Sequence, residues 1–277
     1  MPIAISLTEL QDQIRSRYDE LSKRLQQVAA YVLDNPNSVA FDTVAAIAGQ
    51  AEVPPSTLIR FASAFGFSGF NEMKQIFRKN LLEETANYGD RVRLLKELDG
   101  ETPALERPSD ILQAFSRANA MAMQQLAAQT APEKLEEAVE ILKRAHNVYL
   151  IGLGRSFSIA SYLTYALRHL NRRAHLIDGL GGMFKEQLGL VGKDDVVLAI
   201  GFSPYTEETI KLCDLATQAC AKQIVITDSQ ISPLSSFSDV CFVVKEAHVE
   251  AFRSQAASLC LAQTLVVSLA FSLGSSG

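Results

Sequence analysis

The chain has 277 residues, 48% apolar and 21% charged, with a formal net charge of −5. That length accommodates two domains of ordinary size, each burying its own core, and the composition excludes a disordered or low-complexity protein. Met1 to Leu10 lacks the basic cluster and long apolar core of a secretory signal. The longest apolar stretch, Ala256 to Phe271, is interrupted by Ser258, Gln263, Thr264 and Ser268. It also falls short of the ~20 residues that span a bilayer, so it reads as a buried or interface helix and no membrane partner is expected. Cys213, Cys220, Cys241 and Cys260 lie apart in apolar segments, and the four histidines fit no metal-ligand spacing. Reduced thiols in a cytoplasmic protein are expected, with no metal and no cofactor.

The negative charge argues mildly against a nucleic-acid binder, because phosphate contacts need cations. Local charge reverses the argument. Between Val53 and Asn80 the cations Arg60, Lys74, Arg78 and Lys79 face only Glu72. A small basic surface suffices if a dimer doubles it.

Residues 1–85 are predicted to be helical throughout. Leu10, Ile14, Tyr18, Leu21, Leu25, Val28 and Val32 recur at helical spacing between Leu7 and Leu33. Asn35, Pro36 and Asn37 break that run. Asp42 can cap a helix from Thr43 to about Ala51, with Val44, Ile47 and Ala48 facing inward. Pro54 and Pro55 stop it and start the next, which runs to Phe65 and ends at Gly66. Ser68 is expected to cap a last helix reaching about Glu84. Residues 86–108, with Gly89, Gly100, Pro103 and Pro108, read as a charged interdomain linker with some helix. A helix from Ser109 to Gln129 opens the second domain, 109–277.

From Ala131 onward, short apolar runs alternate with helix-compatible segments. The runs are Val148–Ile151, Ala174–Ile177, Val196–Ile200, Ile224–Thr227 and Val240–Val244. Continuous apolar strands between helices predict an α/β domain with a five-stranded parallel sheet covered on both faces. Ligands bind such sheets at the carboxyl ends of the strands.

Two short helices joined by a tight turn in a small all-α domain suit a helix-turn-helix. The second would present Pro55, Ser56, Thr57 and Arg60 to a major groove, while Leu58, Ile59, Phe61, Ala62 and Phe65 hold it to its domain. On pattern alone, a helical protein-interaction module remains an equal alternative. In the second domain, the first strand ends in Gly152, Gly154 and Ser156 and a helix opens at once. Glycine permits close backbone approach, and a helix N-terminus offers N–H groups to an anion. Phe157 replaces the third glycine of a dinucleotide fingerprint and disfavours that ligand, although Asp178 sits where a ribose-binding acid would. The third strand ends in Gly201, Ser203 and Thr206 before another helix. These hydroxyls either cap that helix or join Ser156 in holding a phosphate.

Val53 to Gln75 resembles the N-terminal domain of RpiR-type bacterial regulators, with Arg60, Phe61, Phe65, Gly66, Phe67, Gly69, Phe70 and Lys74 at the family's signature positions. Glu52 stands where the family usually has glycine, and Ser63 where it often has a long polar or basic residue. The region from about Ser109 to Gly274 resembles the sugar isomerase (SIS) domain. Gly152, Gly154 and Ser156 match its first loop, and Ser203 and Thr206 its second, with Gly201 and Pro204 as departures. Ile226 to Leu234 resembles the end of its fourth strand. The two resemblances together imply an all-α helix-turn-helix domain followed by a SIS-fold α/β domain. They also imply a transcriptional regulator of carbohydrate metabolism with operator DNA as partner and a phosphorylated sugar or cyclitol derivative as effector. DNA contacts would fall on Ser56, Thr57, Arg60 and Lys74, and ligand contacts on Gly152, Gly154, Ser156, Ser203, Thr206 and Glu250. Glu246, His248 and Arg253 are further selectivity candidates, and a homodimer or homotetramer is expected. Two alternatives stand beside this. One is a sugar-phosphate isomerase with an accessory helical domain, for which Glu186, Glu207, Glu246, His248 and Glu250 are available acids and bases without a marked constellation. The other is an interaction protein that its ligand merely stabilises. No catalytic residue is assigned.

Overall fold

The computed structural model describes residues 4, 6–85, 87–99 and 107–274. They divide into two compact units, Met1–Glu106 and Arg107–Gly277.

The first unit is built from α1 (Leu7–Ser16), α2 (Lys23–Asp34), α3 (Pro36–Phe41), α4 (Val44–Gln50), α5 (Pro55–Ala64), α6 (Phe70–Glu84) and α7 (Tyr88–Asp99). The run expected from Leu7 to Leu33 is two helices. Between them lie a single tight turn, Tyr18–Glu20, and extended backbone at Leu21 and Ser22. The break lets Leu10 and Ile14 on α1 and Val28 and Val32 on α2 all reach one core, where each is 0% exposed. Pro36 does end α2, but it also opens α3, where proline at the first position sacrifices no hydrogen bond.

Two caps differ from expectation by one residue. Thr43 rather than Asp42 caps α4, its hydroxyl accepting from the Ala46 N–H at 3.2 Å, because the Asp42 carboxylate accepts from the Ser38 hydroxyl at 2.5 Å. Gly69 rather than Ser68 occupies the cap of α6. Ser68 donates its N–H and hydroxyl to Glu72 at 2.6 and 2.8 Å, and these bonds hold the Glu72 carboxyl below its ordinary range. The segment 86–108 carries α7, whose Arg91 side chain donates to the Thr85 carbonyl at 2.5 Å.

The second unit contains α8 (Pro108–Gln129), α9 (Pro132–Arg144), β1 (Val148–Gly152), α10 (Phe157–His169), β2 (Ala174–Ile177), α11 (Phe184–Leu188), β3 (Val196–Ile200), α12 (Glu207–Gln218), β4 (Lys222–Thr227), β5 (Val240–Val243), β6 (His248–Val249), β7 (Phe252–Arg253) and α13 (Ala256–Gly274). The first five strands form one parallel sheet in the order β2-β1-β3-β4-β5. Alternate side chains serve opposite faces. Leu150, Leu198, Ile224 and Ile226 point to the layer holding α8, α9, α10 and α13, while Ile151, Val197, Ala199 and Val225 point to the layer holding α11 and α12. Burial on both faces is why the central strands β1 and β3 are buried along their whole length, while the exposed positions His175 and Lys222 fall on β2 and at the start of β4.

β6 and β7 form a two-stranded antiparallel hairpin outside the main sheet, which the apolar-run criterion missed because each strand has only two residues. Helix α13 is long and apolar enough for a membrane span by composition. However, Ala257, Leu261, Ala262, Leu265 and Leu269 are buried in the core beneath α8, α9 and α10. Val267 and Phe271 remain 52% and 74% exposed.

The α4–α5 turn carries local strain. The Glu52 and Val53 N–H groups donate to the Gly49 and Ala48 carbonyls, a closure that needs a left-handed residue, and Glu52 supplies it at φ 53°. Left-handed backbone costs a side-chain-bearing residue about 1–2 kcal/mol, of which glycine's extra unfolded-state entropy returns about 0.5–1. Glu52→Gly should therefore stabilise the first unit by about 0.5–1 kcal/mol, read as a higher urea midpoint of the helical signal. An unchanged or lower midpoint would contradict this account of the turn.

Candidate functional sites: a DNA-reading helix and a strand-end pocket

In the first unit, α4 and α5 pack at the turn just described. Thr57, Leu58, Phe61 and Ala62 face the core, all at 5% exposure or less. The outward stripe is therefore Ser56, Ile59, Arg60 and Ser63, all exposed. Two expectations change. Thr57 is buried and Ile59, expected to hold the helix down, is 51% exposed. The spacing 56, 59, 60 and 63 is one helical face, and a periodicity count would have assigned Ile59 to it. That face offers a hydroxyl, a guanidinium and an apolar group suited to a thymine methyl.

Lys74 also departs from its expected place on the DNA surface. It is 6% exposed and its ammonium donates to the Asp42 carbonyl. Burial first, and then the nearby Arg78 charge, pull its pKa down. The Arg78 side chain donates to the Ala40 carbonyl at 3.2 Å. Both cations thus satisfy carbonyls at the end of α3, a favourable place for positive charge. A cation missed by sequence reasoning takes a position at the turn: Arg24 of α2 donates to the Glu52 carbonyl at 3.3 Å. Nothing in the local sequence signals this, since 28 residues separate the partners.

In the second unit, the strand order 2-1-3-4-5 makes β1 and β3 neighbours whose connections leave in opposite directions. Such a switch point opens a crevice at the strands' carboxyl ends. Gly152 pairs with Ile200 there, so the two loops singled out in the sequence lie side by side. Gly152 cannot carry a side chain, because a Cβ would sit 2.7 Å from the Ser156 carbonyl oxygen, and Gly154 has φ 57°. The resulting tight loop delivers Ser156, 7% exposed, to the first turn of α10.

The loop after β3 is held from β4. The Asp228 carboxylate accepts the Ser203 N–H at 3.0 Å and the Tyr205 hydroxyl at 2.6 Å. Burial, then this bond and charge, push the Tyr205 hydroxyl pKa well above its ordinary 10.0. Thr206 caps α12 and its hydroxyl shares a 2.8 Å hydrogen bond with Thr209.

Beside these loops a recess of about 240 Å3, counted out to solvent, is lined by Arg155, Ser156, Ile159 and Phe202 on one side. Glu246, Arg253, Ser254 and Gln255 close the other. The Arg253 guanidinium lies 4.9 Å from the Phe202 ring centre and donates to the Ser203 carbonyl at 3.1 Å. Gln255 donates to the Arg155 carbonyl at 2.6 Å and accepts from the Ser158 hydroxyl at 2.6 Å, bracing the first loop. The Glu246 carboxylate accepts the Ala257 and Ser258 N–H groups at 3.2 and 2.8 Å. Glu250 is not part of this lining. It occupies the turn between β6 and β7, exposed and at φ 51°, because the hairpin reverses there and returns Arg253 to the recess instead. Gly152, Gly154, Ser156, Ser203 and Thr206 are brought to one end of the sheet, while Ser203 and Thr206 flank the recess rather than line it. Among the described residues, no three His, Cys, Asp or Glu side chains gather as metal ligands. The Cys213 thiol is pushed up to about 12 by burial.

An all-α unit with a helix-turn-helix, followed by a strand-end recess on a five-stranded parallel sheet, defines a ligand-sensing DNA-binding class. Residues 8–84 match the helix-turn-helix domain of the rpiR family, and residues 141–273 match the SIS domain. The chain thus carries a helix-turn-helix domain of the rpiR family followed by a SIS domain, the architecture of a sugar-phosphate-responsive transcriptional regulator. It is 28% identical over 234 residues to an uncharacterized HTH-type transcriptional regulator of Haemophilus influenzae, covering 84% of this chain and 78% of that one. It is 26% identical to the HTH-type regulator YbbH of Bacillus subtilis, covering 93% and 87%. Vibrio vulnificus NanR, solved in complex with ManNAc-6P, shares the fold at TM-score 0.58 and 24% identity, covering 95% and 92%.

The Tyr205–Asp228 bond gives a pH-dependent prediction. A tyrosine pKa raised by folding contributes stability below about pH 10, which is lost as pH rises past that value. Tyr205→Phe should cost about 1.5–3 kcal/mol at neutral pH, the loss of a hydrogen bond to a charged group. In urea titrations from pH 8 to 11, the variant should lose less stability above pH 10 than the parent. Parallel losses would remove Tyr205 from the alkaline transition; the Cys213 thiol contributes equally to both proteins.

Proposed function

We propose that this regulator reads operator DNA with the Ser56, Ile59, Arg60 and Ser63 face of α5, and that a phosphorylated sugar or cyclitol derivative controls its operator affinity. The carrying observation is the pair of loops at the β1/β3 switch point, each leading into a helix N-terminus and held by backbone bonds. Ser156, Ser203 and Thr206, with N–H groups at the starts of α10 and α12, hold the ligand phosphate without a lysine. The ManNAc-6P carried by NanR supports a phosphosugar as the ligand class. The protein acts in the cytoplasm, where operator and phosphosugar are both present, and as a homodimer or homotetramer that doubles a weak single-helix contact. Leu261, Leu265 and Val266 are committed to the unit's own core, so the subunit contact falls on Val267, Phe271 and neighbouring exposed groups.

A purely regulatory role, without turnover, is favoured over isomerisation by the state of the available acids. The Glu246 carboxylate is occupied by two backbone N–H groups, Glu207 pairs with Lys211 at the surface, and Glu250 stands away from the recess. Among the described residues, Glu246 is the one carboxylate lining the recess, so none there is left unengaged to move a proton between carbons.

Two measurements test this reading. Arg60→Ala should weaken operator binding by about 1–3 kcal/mol and leave phosphosugar binding intact. Relaxed preference at one operator position indicates a base contact, whereas a uniform loss with a shallower salt slope indicates a phosphate contact. Wild-type operator affinity would move the reading surface elsewhere.

Sugar and DNA affinities should also be coupled reciprocally by about 1–3 kcal/mol, a change of some 5–150-fold. Sugar titrations with and without saturating operator, at one salt concentration, read this directly. Equal affinities for every ligand that binds would leave effector control without a basis.

A further inference from the structure

We infer that the second unit carries a DNA contact of its own, a basic surface at the amino-terminal end of its sheet that takes duplex phosphates without reading bases; this rests on the DNA-binding reading above but not on α5. The surface lies at the opposite end of the strands from the recess. Residues 140–146 and 168–175 hold five lysines and arginines and three histidines against a single acid, Glu140, in a chain of net charge −5. The fold gathers the two segments. The Arg172 guanidinium donates to the Leu142, Lys143 and Ala145 carbonyls at 3.3, 3.1 and 2.5 Å, tying the turn after α10 to the end of α9. The Val148 N–H donates to the Arg173 carbonyl at 2.8 Å, and Val148 pairs with Ala174 across the sheet. Arg144, His146, Arg168, His169, Arg173 and His175 all stay exposed.

Closing two helices accounts for part of this charge. Arg172 satisfies the end of α9, and Arg168, in the last turn of α10, donates to the Ala174 carbonyl at 2.9 Å. Carbonyls are neutral, so both guanidiniums keep their full charge. The nearby acids do not cancel it. Glu140 meets Arg144 at 3.5 Å in an exposed pair, and such pairs are weak. Asp195, 6% exposed, accepts from the Asn147 N–H, the Asn147 side-chain amide and the Gly192 N–H. Arg173 is exposed and has no ion pair among the described residues. At the β4–β5 half of the same end, Lys222 is paired with Asp239 at 2.6 Å, so the excess is confined to the β1–β2 half.

Duplex DNA is the occupant that this charge fits. The first unit commits Lys74, Arg78 and Arg24 to its own carbonyls, and the face of Ser56, Ile59, Arg60 and Ser63 offers one guanidinium. Affinity for a duplex is carried largely by neutralised phosphates. The amino-terminal end of the sheet supplies the cations that the first unit has spent.

The test is fluorescence anisotropy of the full chain on a labelled duplex of unrelated sequence, titrated with salt. Each phosphate contact contributes about 0.9 to the slope of log affinity against log salt. Arg144→Gln combined with Arg173→Gln should lower that slope by about two and weaken binding about tenfold or more at low salt. Arg144→Lys with Arg173→Lys should keep the slope. Lys185→Gln with Lys211→Gln removes equal charge from α11 and α12 and should leave the slope unchanged. An unchanged slope in the Arg144/Arg173 glutamine pair overturns the inference and leaves the α5 reading standing. An equal fall in the α11–α12 control also overturns it, because net charge then suffices. Binding of a polyglutamate peptide that the Arg144/Arg173 glutamine pair abolishes, with the DNA slope intact, assigns the surface to an acidic protein and overturns it too. A lower slope in that pair, alongside wild-type operator affinity in Arg60→Ala, supports this contact while removing the α5 reading. Failure of the parent chain to bind any duplex overturns both.

Discussion

The strand-end loops of the second unit depend on how one carboxylate spends its two oxygens. Asp228, at the end of β4, accepts the Ser203 N–H through one and the Tyr205 hydroxyl through the other. The loop after β3 is thereby held to the neighbouring strand before any ligand arrives. Lys245 adds a second tie by donating to the Asp228 carbonyl at 2.5 Å. A preorganised loop saves a ligand the ordering entropy that a mobile loop would charge it. The parallel register makes the arrangement possible: β1, β3 and β4 end side by side, so loops far apart in the chain share one edge.

The first unit spends several of its cations on its own fold. Lys74 and Arg78 satisfy carbonyls at the end of α3, and Arg24 reaches the carbonyl of the strained Glu52. Arg60 stays on the outer face of α5. Counting cations along the sequence overstates the basic surface, which accords with the chain's acidic balance. In the proposed reading, more weight then falls on shape, on an apolar contact from Ile59 and on a second copy of the helix than on charge alone.

Glutamate serves two distinct ends in this chain. Glu246 offsets the positive start of α13 and gathers the recess around it, whereas Glu52 tolerates a left-handed turn where glycine would be relaxed. The first is an electrostatic device with a packing consequence. The second is local strain maintained by the cores of α4 and α5, whose Ile47, Leu58 and Phe61 are all 0% exposed.

Periodicity alone determined a great deal here. Helices α4, α5 and α6 of the first unit, the five parallel strands and the two glycine-bearing strand ends were legible because burial writes apolar spacing and close backbone approach writes glycine into the local sequence, whereas the split between α1 and α2 and the short α3 were not. The rpiR and SIS signatures added the domain order. What local sequence could not carry is which partner a polar side chain meets. Lys74 and Arg60 look alike as cations in a string, yet one is buried under α3 and the other exposed. Glu250 and Glu246 are close in sequence, yet the two-residue strands β6 and β7 turn the first outward and leave the second at the recess. Pairings such as Ser203 with Asp228 or Arg253 with Phe202 span 25 and about 50 residues. Only the folded sheet brings such partners into contact, so tertiary structure alone decided which polar groups are spent on the fold and which stay exposed.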